Sequence, residues 1–169
     1  MATVFDKILD TTTGPKSYDW YRKKVAAMTT PGARSLISKG KATLRPKYGI
    51  MNLFGYDPKH KDKLPYYDTF PLILPLEPAK GGFIGLNFHY LKPGARVAFL
   101  RQLQRFATDK NYDKNTRFNI GNLSGRYFKK TIKRYLFNQV RTSFLNITAD
   151  EMAIAIFLPV ARFEKGRPY

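Results

Sequence analysis

The sequence predicts an α+β fold in a single compact domain: a three-stranded antiparallel meander, several short to medium helices around it, and extended termini. Three observations carry that reading. Residues 48–91 hold three apolar-aromatic runs parted by turn-rich segments, the pattern of sequential antiparallel strands. On either side, apolar residues return to helical spacing. A chain of 169 residues with 43% apolar and 15% aromatic content can close one core. The domain is expected over 17–160, with an N-terminal arm at 1–16 and a C-terminal tail at 161–169.

The elements follow in order. In "TTTGPKSYDWYRKKVAAM", Ser17 can cap a short helix carrying Trp20, Tyr21, Val25 and Met28. "TTPGARSLISKGK" repeats the logic, with Thr30 as N-cap, Pro31 at the first helical position and Gly40 as the stop. Helices this short are unstable alone and have to dock on something. The runs "YGIMNLFGY", "YDTFPLILPL" and "GGFIGLNFHYL" make the meander. Pro71 and Pro75 lack the donor that a central strand needs, which makes the second run an edge strand or one partly extended without pairing. Gly85 marks a bulge or a close backbone approach. From Pro93, the residues Phe99, Leu100, Leu103, Phe106 and Ala107 share one helical face. After the polar loop "NYDKNTRFNIGNL", Ser124 caps a helix through Arg141 whose inward arc is Phe128, Ile132, Tyr135 and Leu136. "RTSFLNI" reads as a strand. Thr148 and Glu151 stand at capping-box spacing before a helix that Pro159 stops, although the alternation in "MAIAIF" also fits a strand.

Charge is the outlier. Thirty Lys and Arg against twelve Asp and Glu give a net +18, which attracts polyanions and makes the domain repel itself. No acid occurs from Lys114 through Ala149, so the helix there forgoes the Glu–Lys pairs that ordinarily stabilise a solvated face. On the wheel, Arg126, Lys129, Lys130, Lys133 and Arg134 face outward, with Phe137 among them and Arg141 beyond. An aromatic in a basic face can stack on a base or enter a protein contact. The candidate site is therefore this set of seven, for nucleic acid or an acidic partner, with a merely solvated face as the alternative.

Chemistry finds little support. The absence of cysteine excludes disulfides and thiolate nucleophiles. His60 stands between Asp57 and Asp62, but Lys59, Lys61 and Lys63 around it oppose a cation. His89, between Phe88 and Tyr90 on an expected strand, reads as a hydrogen-bonded framework residue. Asp68 followed by Glu77-x-x-Lys80 misses the nuclease spacing, and Pro78 interrupts it. "GGFIG" sits between strands and reads as a hairpin turn. The expectation is a protein that is not an enzyme, with no metal and no cofactor. No apolar run reaches membrane-spanning length and the N-terminus lacks a signal-peptide core, so no membrane partner is expected.

The block "YDPKHKDKLPYYDTFPLILPL", with "GGFIGLNFHYL" and "EMAIAIFLPVARF", resembles small basic proteins of large contractile-tailed bacteriophages, over roughly Tyr48 to Phe163. That resemblance implies a phage gene product, either a virion part or a protein acting on phage DNA. The apolar Val4, Phe5, Ile8 and Leu9 ahead of "DTTTGPK" read as a clip for a neighbouring subunit. Together these lead to a structural component of the tail, baseplate or neck, located in the virion and partnered by other virion proteins. The alternative is a DNA-binding protein of replication or packaging, acting in the host cytoplasm and gripping phosphates with the helix at 126–141.

Overall fold

The computed structural model describes residue 5, residues 16–28, residue 32 and residues 35–37. It also describes residues 40–108 (side chains to 101), 126–148 (side chains from 129) and 151–169. Its frame is an antiparallel sheet of six strands: β1 (Ala42–Thr43), β2 (Met51–Leu53), β4 (Leu72–Ala79), β5 (Gly82–Asn87), β6 (Ile132–Leu136) and β7 (Phe144–Ile147). Their order is β1-β7-β2-β4-β5-β6, and a separate two-stranded ladder joins β3 (Tyr67–Asp68) to β8 (Phe163–Glu164). Among the described residues, the α-helices with defined bounds are α1 (Tyr18–Ala26), α2 (Pro93–Thr108), α3 (Arg126–Thr131) and α4 (Met152–Ala155). The chain is thus α+β.

The three runs of residues 48–91 supply β2, β4 and β5, which are neighbours in the sheet. The sheet is larger than expected because β1, β6 and β7 extend it on both sides. The proline-bearing run is also not an edge: β4 lies between β2 and β5. It tolerates its prolines because β2 pairs only with Leu72 and Ile73. Pro75 and Pro78 therefore fall where β4 has a partner strand on one side only. On the β5 side the register shifts between Pro75 and Glu77, a bulge that absorbs the irregularity. Gly85 does mark a close approach, since a Cβ there would collide with the Ile73 side chain.

Alternation along the strands sorts two cores onto two faces. Leu72, Leu74 and Leu76 join Met51, Leu53, Leu86, Leu145 and Ile147 in a main core that includes Val25, Phe99, Leu100 and the whole of α4. Ile73 points the other way, with Phe54, Tyr56, Phe83, Tyr135 and Phe144. That second face has no helix among the described residues to cover it, and aromatic rings fill it instead. Phe54 meets Tyr135 edge-on at 5.6 Å and Tyr56 at 6.1 Å. Such contacts each add about 0.5–1.5 kcal/mol beyond the area they bury.

The smaller elements follow their local chemistry. Ser17 Oγ accepts from the Trp20 backbone N–H at 3.2 Å and so caps α1. Residues 35–37 are helical and Gly40 N–H donates to Leu36, while Thr30, Pro31, the loop at 111–123 and Ser124 lie outside the described residues. Phe99 and Leu100 are buried as the helical face requires; the side chains of Leu103, Phe106 and Ala107 lie outside the described set. Glu151 Oε2 accepts from Thr148 N–H at 2.9 Å, half of a capping box, before a helix shorter than expected. All four residues of α4 are buried, which is why no polar stripe gave a clean period.

Both ends of the chain contribute to the fold. Phe5 is 2% exposed and belongs to the main core, so the patch expected to serve a neighbour is at Phe5 an intrachain contact. The expected tail supplies β8. Thr69 N–H donates to Arg162 at 2.8 Å, and Arg96 Nη2 donates to the Tyr169 hydroxyl at 3.0 Å.

Two glycines with opposite surroundings test this packing. A Cβ at Gly82 would run into the Tyr135 carbonyl of β6, whereas one at Gly94 meets nothing. In urea melts, Gly82→Ala is expected to lose about 2–3 kcal/mol, because backbone has to move apart. Gly94→Ala, early in α2, is expected to gain about 0.5 kcal/mol. Equal behaviour of the two would contradict the close β5–β6 approach.

Candidate nucleic-acid interface

The basic stretch 124–141 does not form one helix. It is α3 through Thr131, then the strand β6, then a 3₁₀ turn at Phe137–Gln139. Ile132, Tyr135 and Leu136 suit a pleated surface as well as a helical arc, and five pairings with β5, from Leu86↔Ile132 to Gly82↔Leu136, decide between the two. Strand geometry then splits the single basic face that a wheel gives. Lys129 and Lys130 are exposed on α3, and Arg126 sits on the same helix with its side chain outside the described set. Arg134 is exposed on one side of β6 and donates to the Lys80 carbonyl at 2.7 Å. Lys133 turns to the other side, beside buried Tyr135, and is half-buried. Ile132 and Leu136, expected in the core, are only half-buried.

Two residues of the expected set have other work. Phe137 is not a free stacking surface: its ring lies 5.9 Å from Phe83 in the aromatic core, with the Arg45 guanidinium 4.3 Å above it. Arg141 donates to the Asn138 carbonyl at 2.9 Å and reaches Asp57 at 3.5 Å. Asp57 also accepts from Lys61 at 2.9 Å, and that hydrogen bond holds its carboxyl below the usual range. The carboxylate beside His60 is thus engaged by two cations. Among the described residues, no three His, Asp or Glu side chains cluster as metal ligands would.

β6 forms one wall of a cleft of about 510 Å³, and the Pro58–Leu64 loop forms another. Lys59, His60, Tyr67, Tyr90, Lys133 and Arg134 line it, and the floor is Asp68 with Tyr135. Lys133 Nζ lies 4.4 Å from the centre of the Tyr90 ring, with no carboxylate in ion-pair reach among the described residues. Burial pushes its pKa down. Burial pushes the hydroxyls of Tyr90 and Tyr135 up, so both stay protonated at neutral pH.

The floor holds a polar network that the sequence did not disclose. Asp68 is 4% exposed. Its Oδ1 accepts from the Phe70 N–H at 3.0 Å, and its Oδ2 accepts from Asn87 Nδ2 at 3.0 Å and pairs with His89 Nδ1 at 2.7 Å. Asn87 Nδ2 also reaches the Tyr135 hydroxyl at 3.2 Å. His89 is a framework residue, though it sits on a 3₁₀ turn at Phe88–Tyr90 rather than on a strand. Arg96, also buried, donates to the Leu91 carbonyl at 2.8 Å and locks that turn to α2. Lys59, Tyr67 and Asp68 lie near one another in sequence, but Tyr90 and Lys133 reach the cleft from separate segments. The one local signal was tyrosine beside basic residues in "KLPYYD" and "FHYLK".

A family model described as phage T4 terminal DNA protecting protein matches residues 7–169. No curated protein and no solved structure matches the chain. The match overturns the expected tail, baseplate or neck role, because the family is described by an action on DNA termini rather than by a place in a tail.

The network yields a stability test. Asp68→Ala leaves the Phe70 N–H, the Asn87 amide and the His89 ring buried without their acceptor, and is expected to cost about 3–5 kcal/mol. Lys130→Ala, at an exposed position, is expected to stay within about 0.5 kcal/mol of the parent. Chemical denaturation of both variants decides; a mild Asp68→Ala would mean the carboxylate does not organise the floor.

Proposed function

The chain belongs to the phage T4 terminal DNA protecting protein family, and from that premise we propose that it binds the ends of linear duplex DNA and shields them from exonucleases without catalysing a reaction itself. The observation that carries the reading is the cationic edge of the sheet. β6 is the last strand in the order among the described residues; it carries Arg134 exposed on one side and half-buried Lys133 on the other, and α3, which carries exposed Lys129 and Lys130, runs directly into it. No acid lies in that stretch of sequence to neutralise them. Phosphates supply the missing charge, and the released counterions supply much of the affinity. Arg126 extends the set along α3, whereas Arg141 contributes less because it shares Asp57. Protection in this reading is steric: a folded domain seated on the terminus denies a nuclease the end. The protein would act wherever linear phage DNA exposes its ends, in the virion or in the infected host's cytoplasm.

Two measurements test the reading. With four to five phosphate contacts, log K against log[salt] should fall with a slope of about −3 to −5, and charge reversal at Lys129, Lys130 and Arg134 together should flatten it. A flat slope in the parent protein rules out phosphate binding by this edge. In a digestion assay with a double-strand exonuclease, protection should saturate in proportion to the number of DNA ends and not to DNA length. Protection that needs enough protein to coat the whole duplex would show a general DNA-binding protein instead.

A further inference from the structure

We infer that the cleft between β6 and the Pro58–Leu64 loop is a receptor for the 5′-terminal phosphate of a DNA end and the nucleotide that carries it. The inference rests on the end-binding reading and assigns it a place. Four features of the cleft point to this occupant.

The first is Lys133. A half-buried ammonium has given up part of its hydration, and its neighbour is a ring face, not a carboxylate. A cation–π contact offsets some of that loss, but an anion would offset more. Second, Lys59 stands on the lining as well, so with Lys133 the walls carry a local excess of positive charge. The one acid of the lining, Asp68, already has both oxygens engaged by three donors within the protein, which limits what it presents to a ligand. Third, Tyr67 gives the cleft aromatic surface on which a base can stack in a sequence-tolerant way, worth about 1–3 kcal/mol per base, while the Tyr90 face is taken by Lys133. The Tyr90 hydroxyl stays protonated at neutral pH and adds no negative charge. Fourth, the size fits: about 510 Å³ falls within the range of small-molecule sites and accommodates one nucleotide rather than a duplex.

The choice of a terminal over an internal phosphate follows from charge. An internal phosphodiester carries one negative charge. A terminal phosphate monoester carries about 1.5–2 at neutral pH, with three strong acceptor oxygens. A desolvated lysine discriminates between those two in favour of the end.

The experiment uses the full chain and fluorescence anisotropy with three versions of one duplex: blunt with 5′-phosphates, blunt with 5′-hydroxyls, and closed at both ends by hairpin loops. The 5′-phosphorylated duplex is expected to bind roughly tenfold or more tighter than the 5′-hydroxyl form, the worth of one charge-assisted contact. Lys133→Met should erase that preference while leaving the melting temperature unchanged or higher, because it removes a desolvated charge. A 5′-phosphorylated dinucleotide should compete in the parent protein and its 5′-hydroxyl counterpart should not, which keeps the test decisive if the variant folds poorly. Equal affinity for open and closed duplexes overturns the end-binding reading itself. Preference for open ends with no discrimination between 5′-phosphate and 5′-hydroxyl leaves that reading standing and overturns the cleft assignment, as does a Lys133→Met protein that retains the preference.

Discussion

The Asp68 carboxylate, removed from water at the junction of the two sheets, is the constraint on which the rest of the architecture depends. A buried carboxylate is tolerable only if donors surround it, and here the donors come from three separate places. Phe70 belongs to the turn into β4, Asn87 ends β5, and His89 sits on the turn that leads to α2. Through Asn87 the network touches Tyr135 of β6, and through strand pairing β3 holds β8. One side chain therefore ties the small ladder to the six-stranded sheet. Two members of this network, Asp68 and Tyr135, line the cleft between β6 and the Pro58–Leu64 loop.

Aromatic packing on the outer sheet face does a second job. Helices lie on the main-core face, and the opposite face is closed by Phe54, Tyr56, Phe83, Tyr135 and Phe144. Rings bury much area with few rotatable bonds, so a thin layer suffices where a helix would be bulky. Phe137 completes this layer from the turn after β6, which holds the edge strand down at the end where Gly82 lets the backbones meet closely. A rigid edge strand in turn sets where its cations project.

Local chemistry was legible and long-range pairing was not. Ser17 as a cap, the buried pair Phe99 and Leu100, the strand at Phe144–Ile147 and the close approach at Gly85 all depend on neighbours in sequence or on a regular period, and the structure shows each. The stretch after Ser124 misled because Ile132, Tyr135 and Leu136 satisfy both a helical arc and a pleat, and only β5 resolves the ambiguity. The prolines of β4 misled for a related reason. The rule that bars proline from central strands assumes partners along both sides, and β2 is too short to provide one. The cations Lys129, Lys130, Lys133 and Arg134 were named from charge and a helical wheel, and the strand geometry of β6 turns Lys133 and Arg134 to opposite sides. The tyrosines and Asp68 of the cleft could not be named, because nothing in a linear pattern brings residue 68 to residues 87, 89 and 135.

The position of β6 has a colloidal consequence. An edge strand offers unpaired N–H and C=O groups to any other chain, and natural proteins guard such edges with lysine and arginine. In the free protein, like charge on β6 keeps two copies from docking edge to edge. A polyanion laid along that edge cancels the repulsion and exposes the latent adhesiveness of the strand. Neutralising that charge therefore lowers the barrier to self-association, so condensation together with a polyanion, rather than precipitation of protein alone, is the phase behaviour a guarded edge of this kind favours.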